Sequence, residues 1–560
     1  MRDPREASHL TNLRPGGIPD PTTVAGSLLE AARRWPAGPA LVVGDRSARY
    51  DELWAEALDC SRALLAAGLE QGEAIGLFLP NCWEYAVLFY AANIAGLRPV
   101  ALNARFGDHE LAHALRTVDF GAVFTTADTA AGFNGDAVLF STLAALDEAE
   151  RPSLVIDVSD SGGRGRLGWR AFLAAGRTVP DDACYARLSS IDAGDDCLIM
   201  FSSGTTSRPK ACRLSHRSLR VSGEGLAERF RLTSADRFWD PLPFFHMSTM
   251  LPMTACRLTG ACFVGVDRFE AGAALAELER LRATIAYPAF STITAALISH
   301  PAFKTCDLSA LRVILNVGPP DLLRRFQSAF PQAVQVSCYG LTECGGLSFY
   351  NDLDETLEQR VTTCGRPIVS VEVRIVDPLS GDVRAAGETG EIQLRGAALF
   401  SGYLGDPDAT CNTMTADGWL RTGDAGTLDA EGRVAYAGRF KDMLRIGGEN
   451  VAATEIESFL VTHPAIKLAQ VVGVPDDRLD EVPAAFIELE AGASLQEIDV
   501  ARFCAHRIAS YKIPRYVRIV TDWPMSATKI QKVRLAEQFS PDRKIAVSEV
   551  LRETGQSAAT

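Results

Sequence analysis

A hydroxyl-rich loop that contains one lysine has the composition of a phosphate-binding segment. The stretch LIMFSSGTTSRPKACRLSH, residues 198–216, runs from an apolar segment into this loop. Its candidate phosphate ligands are Ser203, Thr205, Thr206 and Lys210. Hydroxyls and backbone amides can donate to phosphate oxygens, and the lysine adds positive charge. The P-loop pattern GxxxxGK[ST] cannot be fitted here, and a polar surface turn is the alternative interpretation.

The segments around this loop predict an α/β fold. From Leu41, short apolar runs (ALVV, AIGLFL, RPVAL, GAVFTT) alternate with longer amphipathic stretches such as DELWAEALDCSRALLAAG. A second set follows, in which TIAYPA, VILNVG and VQVSCYG are separated by helical patterns. Strands that alternate with helices imply mostly parallel sheets that are covered by helices on both faces.

Changes in pattern along the chain predict the domain boundaries. Residues 1–24 are rich in Pro, Gly and charge, and we expect a disordered leader. We expect a large N-terminal domain of stacked, mostly parallel sheets with helices over 25–440, with a β-rich subdomain at about 365–440. The mixture of helix and strand after it predicts a small α+β C-terminal domain over 441–540, followed by a tail over 541–560.

Composition and charge argue against several classes of function. The chain has 560 residues and a net charge of -14, so its surface repels polyanions and a nucleic-acid partner is disfavoured. Its 13 cysteines are scattered without a CxxC pair or metal-ligand spacing, which favours reduced thiols in a cytoplasmic protein. No apolar stretch has membrane-spanning length, and AVLFYAANIAGL from Ala86 predicts a buried helix.

A series of motifs resembles, in order, those of the adenylate-forming (ANL) superfamily, which includes acyl-CoA ligases, peptide-synthetase adenylation domains and firefly luciferase. The hydroxyl-rich loop resembles TSGTTGxPKG, and YGLTECGG from Tyr339 resembles YGxTE. The later matches are GWLRTGDAGTLDAEGRVAYAGRFKDMLRIGGENV from Gly418, EIE from Glu455, YKIPR from Tyr511 and PMSATKIQK from Pro524. The ordered series, over about residues 25–540, is far more specific than any one motif.

The resemblance implies a site for ATP or acyl-AMP and Mg²⁺. Glu343 and Thr342 match the positions of Mg-ATP contacts, and a carboxylate suits a hard cation that bridges phosphates. Asp424 is implied to accept hydrogen bonds from the ribose hydroxyls, with Arg439 beside it as a donor. Without the motif context, the glutamate would be an ordinary solvated residue and the other two an ordinary surface pair.

Three further nucleotide-binding candidates follow from the same resemblance. Tyr339 begins the YGLTE motif, and Gly318 and Pro319 lie in NVGPP, which matches the family segment that packs on adenine. A plain strand-to-helix turn explains NVGPP equally well from its residues alone.

The C-terminal domain is implied to rotate between two half-reactions and to bind coenzyme A. Lys441 in RFKD matches the hinge of the family, and Gly447, Gly448 and Glu449 match the loop that forms the pantetheine tunnel. Adjacent glycines let the backbone approach a thin ligand closely. Arg445 is a candidate for a CoA phosphate. The GGEN run favours a CoA ligase over an oxygenase of the luciferase type, which needs no thiol.

The acyl substrate is implied to lack an α-amine. Amino-acid-activating relatives tend to have Asp in the segment that matches PLPFFHMSTM, where this chain has Phe245 and His246. Trp239, Tyr287 and Phe290 complete the candidate acyl pocket, although such aromatic residues belong to a core more often than to a pocket. A hydrophobic carboxylic acid is therefore the expected substrate.

Departures from the family pattern concern the first half-reaction, in which acid and ATP form acyl-AMP. Ser207 and Ala211 replace two glycines of the phosphate loop, and a Cβ at a position that needs a positive φ or a close approach of the phosphate costs about 1 kcal/mol or more. PMSATKIQK lacks the glycine before Lys529, the lysine that is implied to stabilise charge during adenylation.

The missing glycine sets the functional hypothesis. Deleting a residue moves the backbone by up to about 3.8 Å, and a misplacement of about 1 Å can cost about 100-fold in rate. The hypothesis is an acyl-CoA ligase with weak or lost adenylation, which converts an acyl-adenylate supplied by a separate adenylating enzyme. A complete ATP-dependent synthetase and an inactive adenylate-binding relative are the alternatives. An amino-acid-loading adenylation domain is disfavoured by His246.

Overall fold

A computed structural model describes residues 19–127, 133–160, 165–202, 209–440, 443–446, 449–476, 478–505, 507–526, 529–537, 539, 545 and 550. The strands are β1 (Pro39–Val43), β2 (Arg46–Arg49), β3 (Ala74–Leu77), β4 (Arg98–Ala101), β5 (Phe120–Thr125), β6 (Leu154–Asp157), β7 (Leu167–Gly168), β8 (Asp196–Phe201), β9 (Ala211–Ser215), β10 (Arg237–Asp240), β11 (Cys262–Gly265), β12 (Ile285–Phe290), β13 (Val313–Val317), β14 (Val334–Val336), β15 (Cys338–Tyr339), β16 (Phe349–Tyr350), β17 (Arg366–Pro367), β18 (Val371–Val376), β19 (Gly390–Gly396), β20 (Gly402–Tyr403), β21 (Leu420–Leu428), β22 (Val434–Arg439), β23 (Met443–Ile446), β24 (Glu449–Ala452), β25 (Ile466–Asp476), β26 (Asp480–Leu489), β27 (Tyr516–Ile519), β28 (Met525–Ser526) and β29 (Lys529–Ile530).

The helices are α1 (Val24–Arg34), α2 (Tyr50–Ala66), α3 (Trp83–Ile94), α4 (Asp108–Thr117), α5 (Gly135–Ala144), α6 (Trp169–Gly176), α7 (Asp181–Ser189), α8 (His216–Arg229), α9 (Met247–Thr259), α10 (Ala271–Arg280), α11 (Ser291–Ser299), α12 (Pro320–Ala329), α13 (Leu357–Thr362), α14 (Pro407–Thr413), α15 (Ala453–Leu460), α16 (Glu497–Cys504) and α17 (Lys532–Glu537). Short 3-10 turns occur at Glu148–Glu150, Pro301–Lys304, Thr342–Cys344 and Ser510–Lys512.

Two large sheets form the N-terminal part of the fold. The eight-stranded sheet has the order β20-β9-β8-β4-β3-β5-β6-β7, in which β8 to β7 are parallel and β9 and β20 are antiparallel additions. The seven-stranded sheet has the order β14-β13-β12-β10-β11-β1-β2 and is parallel except at β2. These sheets confirm the predicted α/β class.

The packing of these sheets is layered. One hydrophobic core holds the facing sides of both sheets together with α1, α2, α3, α8 and α9. A second core lies under α4 and α5 on the outer side of the eight-stranded sheet, and a third under α10 and α11 on the outer side of the other. The predicted buried helix is confirmed as α3, in which every residue but Glu84 is buried.

The start of α1 depends on a buried histidine. Thr23 caps the helix through its side chain, and the Val24 backbone N–H donates to Nδ1 of His216 at 3.0 Å. Burial, with a further contribution from Arg257, lowers the pKa of His216 to about 3. The neutral imidazole can therefore accept this hydrogen bond across the whole ordinary pH range.

Smaller antiparallel sheets follow in the chain. β15, β16 and β17 form one sheet, and β18, β19, β21 and β22 form another. The short strand β20 departs from the predicted β-rich subdomain, because it pairs with β9 in the large sheet. Gly402 makes this path possible, since it has φ +117° and an added Cβ would lie 2.9 Å from the Thr410 side chain.

The C-terminal part has its own hydrophobic core. Its sheet has the order β24-β23-β26-β25, with β27 also paired to β26, and the core includes Leu444, Ile456, Leu460 and Ile487. β28 and β29 form a separate hairpin. A large and a small domain are thus confirmed, whereas the boundaries at residues 24, 440 and 540 stay predictions.

Candidate active site

Lys210 and Glu343 both contact one aromatic residue, Tyr403, the first at its ring and the second at its hydroxyl. The Tyr403 hydroxyl donates to Oε1 of Glu343 at 2.8 Å, and Nζ of Lys210 lies 4.8 Å from the centre of the ring. Burial and the adjacent Glu343 carboxylate raise the pKa of Tyr403 well above its ordinary value, so the hydroxyl keeps its proton and remains a donor. Tyr403 belongs to none of the motifs that identify the other candidate residues in the sequence.

A tight turn presents Glu343 and Thr342. The 3-10 turn Thr342–Cys344 follows β15, and the Phe400 N–H donates to the backbone carbonyl of Glu343 at 2.9 Å. Gly340 is required because an added Cβ would lie 2.0 Å from the carbonyl oxygen of Gly346. The backbone thus fixes the direction of this turn from both sides.

The phosphate-loop candidates Ser203, Thr205 and Thr206 lie outside the described residues. The ends of the loop are close together, because the Ser202 N–H donates to the Lys210 carbonyl at 2.9 Å. Ala211 lies in β9 opposite Phe201, and it is not among the described non-glycine residues with positive φ. The expectation of left-handed backbone strain at Ala211 is therefore wrong, because a strand residue is extended and accommodates a Cβ.

Asp424, Arg439 and Tyr339 form a second polar group. Asp424 is only 3% exposed, and it accepts hydrogen bonds from the Tyr339 hydroxyl at 2.8 Å and from Nε of Arg439 at 3.1 Å. The two charged residues are directly opposite each other in register on β21 and β22. Burial and the neighbouring carboxylate raise the pKa of Tyr339 well above its ordinary value. The structure thus brings together three residues that are far apart in the sequence.

Candidate adenine and acyl residues follow the carboxyl ends of neighbouring parallel strands. Gly318 and Pro319 come directly after β13, and Pro319 is the N-cap of α12. Phe290 ends β12, and His246 lies in the loop after β10 as the N-cap of α9. Carboxyl ends of parallel strands share one edge of a sheet, which is where ligands bind in open α/β sheets.

Four acyl-pocket candidates lie in, against or next to one core, and the fifth lies in another. Phe245 and Tyr287 are buried in the core between the sheets, Phe290 packs against that core, and the ring of His246 lies 4.9 Å from that of Phe245. Trp239 is buried in the outer core and donates Nε1 to Oε2 of Glu277 at 2.9 Å. Neighbouring strand residues point to opposite faces, so we assign Trp239 to the outer core and not to the acyl pocket.

The candidates in the C-terminal part are described only in part. Lys441, Gly447 and Gly448 lie outside the described residues. Arg445 is exposed on β23, where its backbone N–H donates to Oε2 of Glu481 at 2.8 Å, and Glu449 begins β24 opposite Ile446. The exposed position leaves the Arg445 side chain accessible to an anionic ligand.

Lys529 occupies a defined backbone position. It begins β29 and pairs directly with Ser526 of β28, while Ile530 pairs with Met525. Only residues 527 and 528 separate the paired positions, and these lie outside the described residues. The lysine segment is therefore a hairpin with a short connection.

The oxygen donors present suit magnesium bound together with phosphates. In the part of the chain that the structure describes, no group of three or more His, Cys, Asp or Glu residues could hold a metal ion. Mg²⁺ in nucleotide sites is usually held by one or two carboxylates together with substrate phosphates and water. Glu343, beside the cationic Lys210, fits that donor set.

Most of the cysteine thiols are buried. All thirteen cysteines are free, and Cys411 on α14 is the exposed one. Burial raises the pKa of the half-buried thiols Cys82 and Cys364, to about 12 and about 11. Across the described ranges, no helix is both long and apolar enough to span a bilayer.

Both the N-terminal and the C-terminal part of the chain match known protein families. Residues 28–404 match the AMP-binding enzyme family, and residues 455–529 match the AMP-binding enzyme C-terminal domain. The 3-[(3aS,4S,7aS)-7a-methyl-1,5-dioxo-octahydro-1H-inden-4-yl]propanoyl:CoA ligase of Mycobacterium tuberculosis is 35% identical over 532 residues, which cover 93% of this chain and 99% of the relative.

Two other matches extend the likeness. The mitochondrial medium-chain acyl-CoA ligase ACSF2 of Rattus norvegicus is 30% identical over 562 residues, covering 96% of this chain and 89% of the relative. The crystal structure of ATP-bound MatB from Rhodopseudomonas palustris superposes with a TM-score of 0.79 at 25% identity, over 93% of this chain and 100% of that one. The likeness therefore runs through both domains.

Proposed function

The chain belongs to the AMP-binding enzyme family, within which it is an acyl-CoA ligase, and we propose that it acts on a hydrophobic carboxylic acid without an α-amine. The acid is first joined to AMP, and the acyl group then passes to the thiol of coenzyme A. The observation that carries the proposal is a pair of polar groups, one in which Tyr403 contacts Glu343 and Lys210, and one in which Asp424 accepts from Tyr339 and Arg439.

In the first half-reaction, a carboxylate oxygen of the acid attacks the α-phosphorus of ATP, and the bond to pyrophosphate breaks. Lys210 offsets negative charge on the phosphates, and Asp424 and Arg439 orient the ribose. Glu343 would hold Mg²⁺, which neutralises phosphate charge when it is bound. Lys529 would stabilise the charge between carboxylate and α-phosphate.

In the second half-reaction, the sulfur of coenzyme A attacks the acyl carbon and the C–O bond to AMP breaks. The thiol proton is released to water. Arg445, whose side chain is exposed on β23, would meet a phosphate of the incoming CoA. Lys441 would act as the hinge, and the glycines at 447 and 448 with Glu449 would admit the pantetheine arm.

We further propose that adenylation is the weaker half-reaction. The hairpin of β28 and β29 pairs Ser526 with Lys529 and leaves only two residues for the turn, where the family pattern has one residue more. Lys529 would then follow the turn directly and would be displaced from the position that the family pattern gives it. Such an enzyme would draw acyl-adenylate from a separate adenylating protein.

A complete synthetase is the second candidate, and specific contacts favour it. The Lys210, Tyr403 and Glu343 contacts and the Asp424 hydrogen bonds are formed, and Ala211 carries no left-handed strain. These residues all serve the nucleotide, so they support an intact first half-reaction. The two candidates differ only in the rate of adenylation.

The substrate proposal draws on the relatives. The ligase of Mycobacterium tuberculosis carries a fused-ring dioxo propanoyl group in its name, and ACSF2 is named for medium-chain acids. Phe245, in the core between the sheets, and Phe290, packed against that core, support an apolar acid over a charged one. We also propose a cytoplasmic location, which the thirteen free thiols support.

The deciding experiment compares two routes to acyl-CoA over a panel of aliphatic, aromatic and fused-ring acids. One arm supplies acid, ATP, Mg²⁺ and CoA, and the other supplies the matching synthetic acyl-adenylate and CoA. Product from the adenylate alone, or much faster from it, supports weak adenylation, whereas equal rates support the complete synthetase. No product in either arm across the panel would contradict an acyl-CoA ligase and favour an inactive binding relative.

A further inference from the structure

Tyr403 separates two side chains of opposite charge that both serve the nucleotide. Its hydroxyl donates to Glu343 at 2.8 Å, while Lys210 lies 4.8 Å from its ring centre. We propose that Tyr403 is a positioning residue that prevents Lys210 and Glu343 from pairing with each other, and so keeps both available for the Mg²⁺-phosphate end of ATP. This inference rests on the proposed function.

The chemistry of a tyrosine suits this separation. The face of an aromatic ring attracts a cation, and a phenol hydroxyl donates to a carboxylate. Each charged group therefore has a favourable neighbour without a direct ion pair. If the ring were absent, the ammonium group could move toward the carboxylate, and each charge would then cancel the other before ATP arrived.

The fold holds the ring in place from several directions. Tyr403 is 8% exposed and pairs with Cys212 in the β20–β9 ladder, which sets it beside the end of the phosphate loop. Its N–H donates to Oγ1 of Thr410 at 2.9 Å, and the ring of Phe400 packs edge-on with a centroid distance of 4.9 Å. A ring fixed in this way can act as a spacer, because it cannot swing aside.

Glu343 is tied to the same segment through its backbone. The Phe400 N–H donates to the Glu343 carbonyl at 2.9 Å, three residues before Tyr403 in the chain. The segment 400–403 therefore contacts the glutamate twice, once at the main chain and once at the carboxylate. A shift of this segment would move the spacer and the glutamate together.

The test measures binding of MgATP by calorimetry, without acid or CoA, so that no turnover is needed. We expect Tyr403→Phe, which keeps the ring and loses the hydroxyl, to weaken MgATP binding by roughly 10-fold. We expect Tyr403→Leu, which also loses the ring face, to weaken it by roughly 100-fold. Thiolation of a preformed acyl-adenylate involves neither Mg²⁺ nor pyrophosphate, so in both variants its rate should fall by a much smaller factor than the affinity for MgATP.

Tyr50→Phe is the matched control. The buried Tyr50 hydroxyl donates to the carbonyls of Cys256 at 2.9 Å and Ala261 at 2.7 Å, in the core between the sheets. Its loss should lower Tm and leave MgATP affinity unchanged. The proposal is overturned if Tyr403→Leu binds MgATP as tightly as the wild type, or if it loses nucleotide binding and thiolation in equal measure.

The same data separate this proposal from the proposed function. A wild-type protein that binds MgATP but forms no acyl-CoA from acid or adenylate would overturn the ligase proposal alone. A wild-type protein that does not bind MgATP would overturn the spacer role, whereas the ligase proposal would stand if that protein still converted acyl-adenylate to acyl-CoA. Weakened MgATP binding confined to the Tyr403 variants supports the spacer role whatever the rate of adenylation.

Discussion

Asp424 combines deep burial with two hydrogen-bond donors, Tyr339 and Arg439, which hold its carboxylate in one orientation. An oriented acceptor suits the ribose hydroxyls because little freedom is lost when they bind. We expect Asp424→Asn to raise the KM for ATP by roughly 10- to 100-fold, since a hydrogen bond to a charged group is lost. Steady-state kinetics at varied ATP would measure this.

A surface carboxylate provides the comparison. Glu372 pairs with Arg395 at 2.7 Å on β18 and β19, where both side chains are largely exposed. Glu372→Gln should leave the KM for ATP at its wild-type value, because exposed ion pairs contribute little. An Asp424→Asn enzyme with an unchanged KM for ATP would remove the ribose role from Asp424.

His216 makes stability depend on pH. Its pKa is about 3 in the folded protein, against an ordinary value of 6.5 in the unfolded chain. Below pH 6.5 the unfolded chain takes up a proton that the folded chain does not, so the free energy of unfolding falls by up to about 1.4 kcal/mol for each pH unit toward pH 3. Urea titrations at pH 7 and pH 5.5 should show this loss.

Replacing the histidine tests its share of this pH dependence. His216→Gln removes the titrating group and should flatten the slope between these pH values, even if it lowers stability overall. His109→Gln, at an exposed position on α4, should leave the slope as it is. An unchanged slope in His216→Gln would assign the acid sensitivity to other groups.

Site residues that lie in sequence motifs could be predicted from the sequence, whereas those outside the motifs could not. Glu343, Lys210 and Asp424 lie in local patterns that identify them without coordinates. Tyr403 stands in GYLGDP, which has no charged or catalytic signature, and its contacts are 60 and nearly 200 residues away. Trp239 lies in the outer core, which the sequence does not indicate, because the two faces of β10 cannot be assigned to inner and outer layers from one strand alone.

At the scale of elements, the hairpin of β28 and β29 sets the position of Lys529. Inserting Gly between Thr528 and Lys529 lengthens its turn and restores the family spacing. If the short turn limits adenylation, we expect acid-dependent pyrophosphate exchange to rise by roughly 10-fold or more, because a small displacement of a catalytic group has a large effect on rate. Thiolation of a supplied acyl-adenylate should not change.

A second insertion controls for the added residue itself. Gly492 lies in an exposed turn after β26, and it has φ +79° with no atom near an added Cβ. One more glycine after it should leave both half-reactions as they are. Pyrophosphate exchange that stays low in the hairpin variant would count against weak adenylation caused by turn length.

Helices and parallel strands were predictable because their periodicity is local. The alternation of apolar runs and amphipathic stretches from Leu41 correctly indicated β1, α2, β3 and their successors. β20 was not predictable, because two residues carry no periodicity and their pairing with β9 depends on a distant chain segment. Long, strongly patterned elements are therefore known before the structure, and the short ones that complete the site are not.

At the scale of the whole molecule, the two domains have separate hydrophobic cores, and we therefore expect them to unfold in separate transitions. The core around Leu460 in the C-terminal domain shares no residue with the core under α10 that holds Leu275. Leu460→Ala should lower one calorimetric transition and Leu275→Ala another, each by a cavity cost of about 2–5 kcal/mol. A single transition shifted equally by both variants would show that the domains unfold as one unit.

One of the cysteines is exposed, which makes it a site for attaching a fluorescent dye. Maleimides react with thiolates, and burial raises the pKa of the three half-buried thiols Cys82, Cys306 and Cys364, while Cys411 is exposed. The natural protein should thus accept one dye under brief labelling, without engineered cysteines. That dye would sit on α14, next to Thr410 and the segment that holds Tyr403, where it could report nucleotide arrival in single molecules.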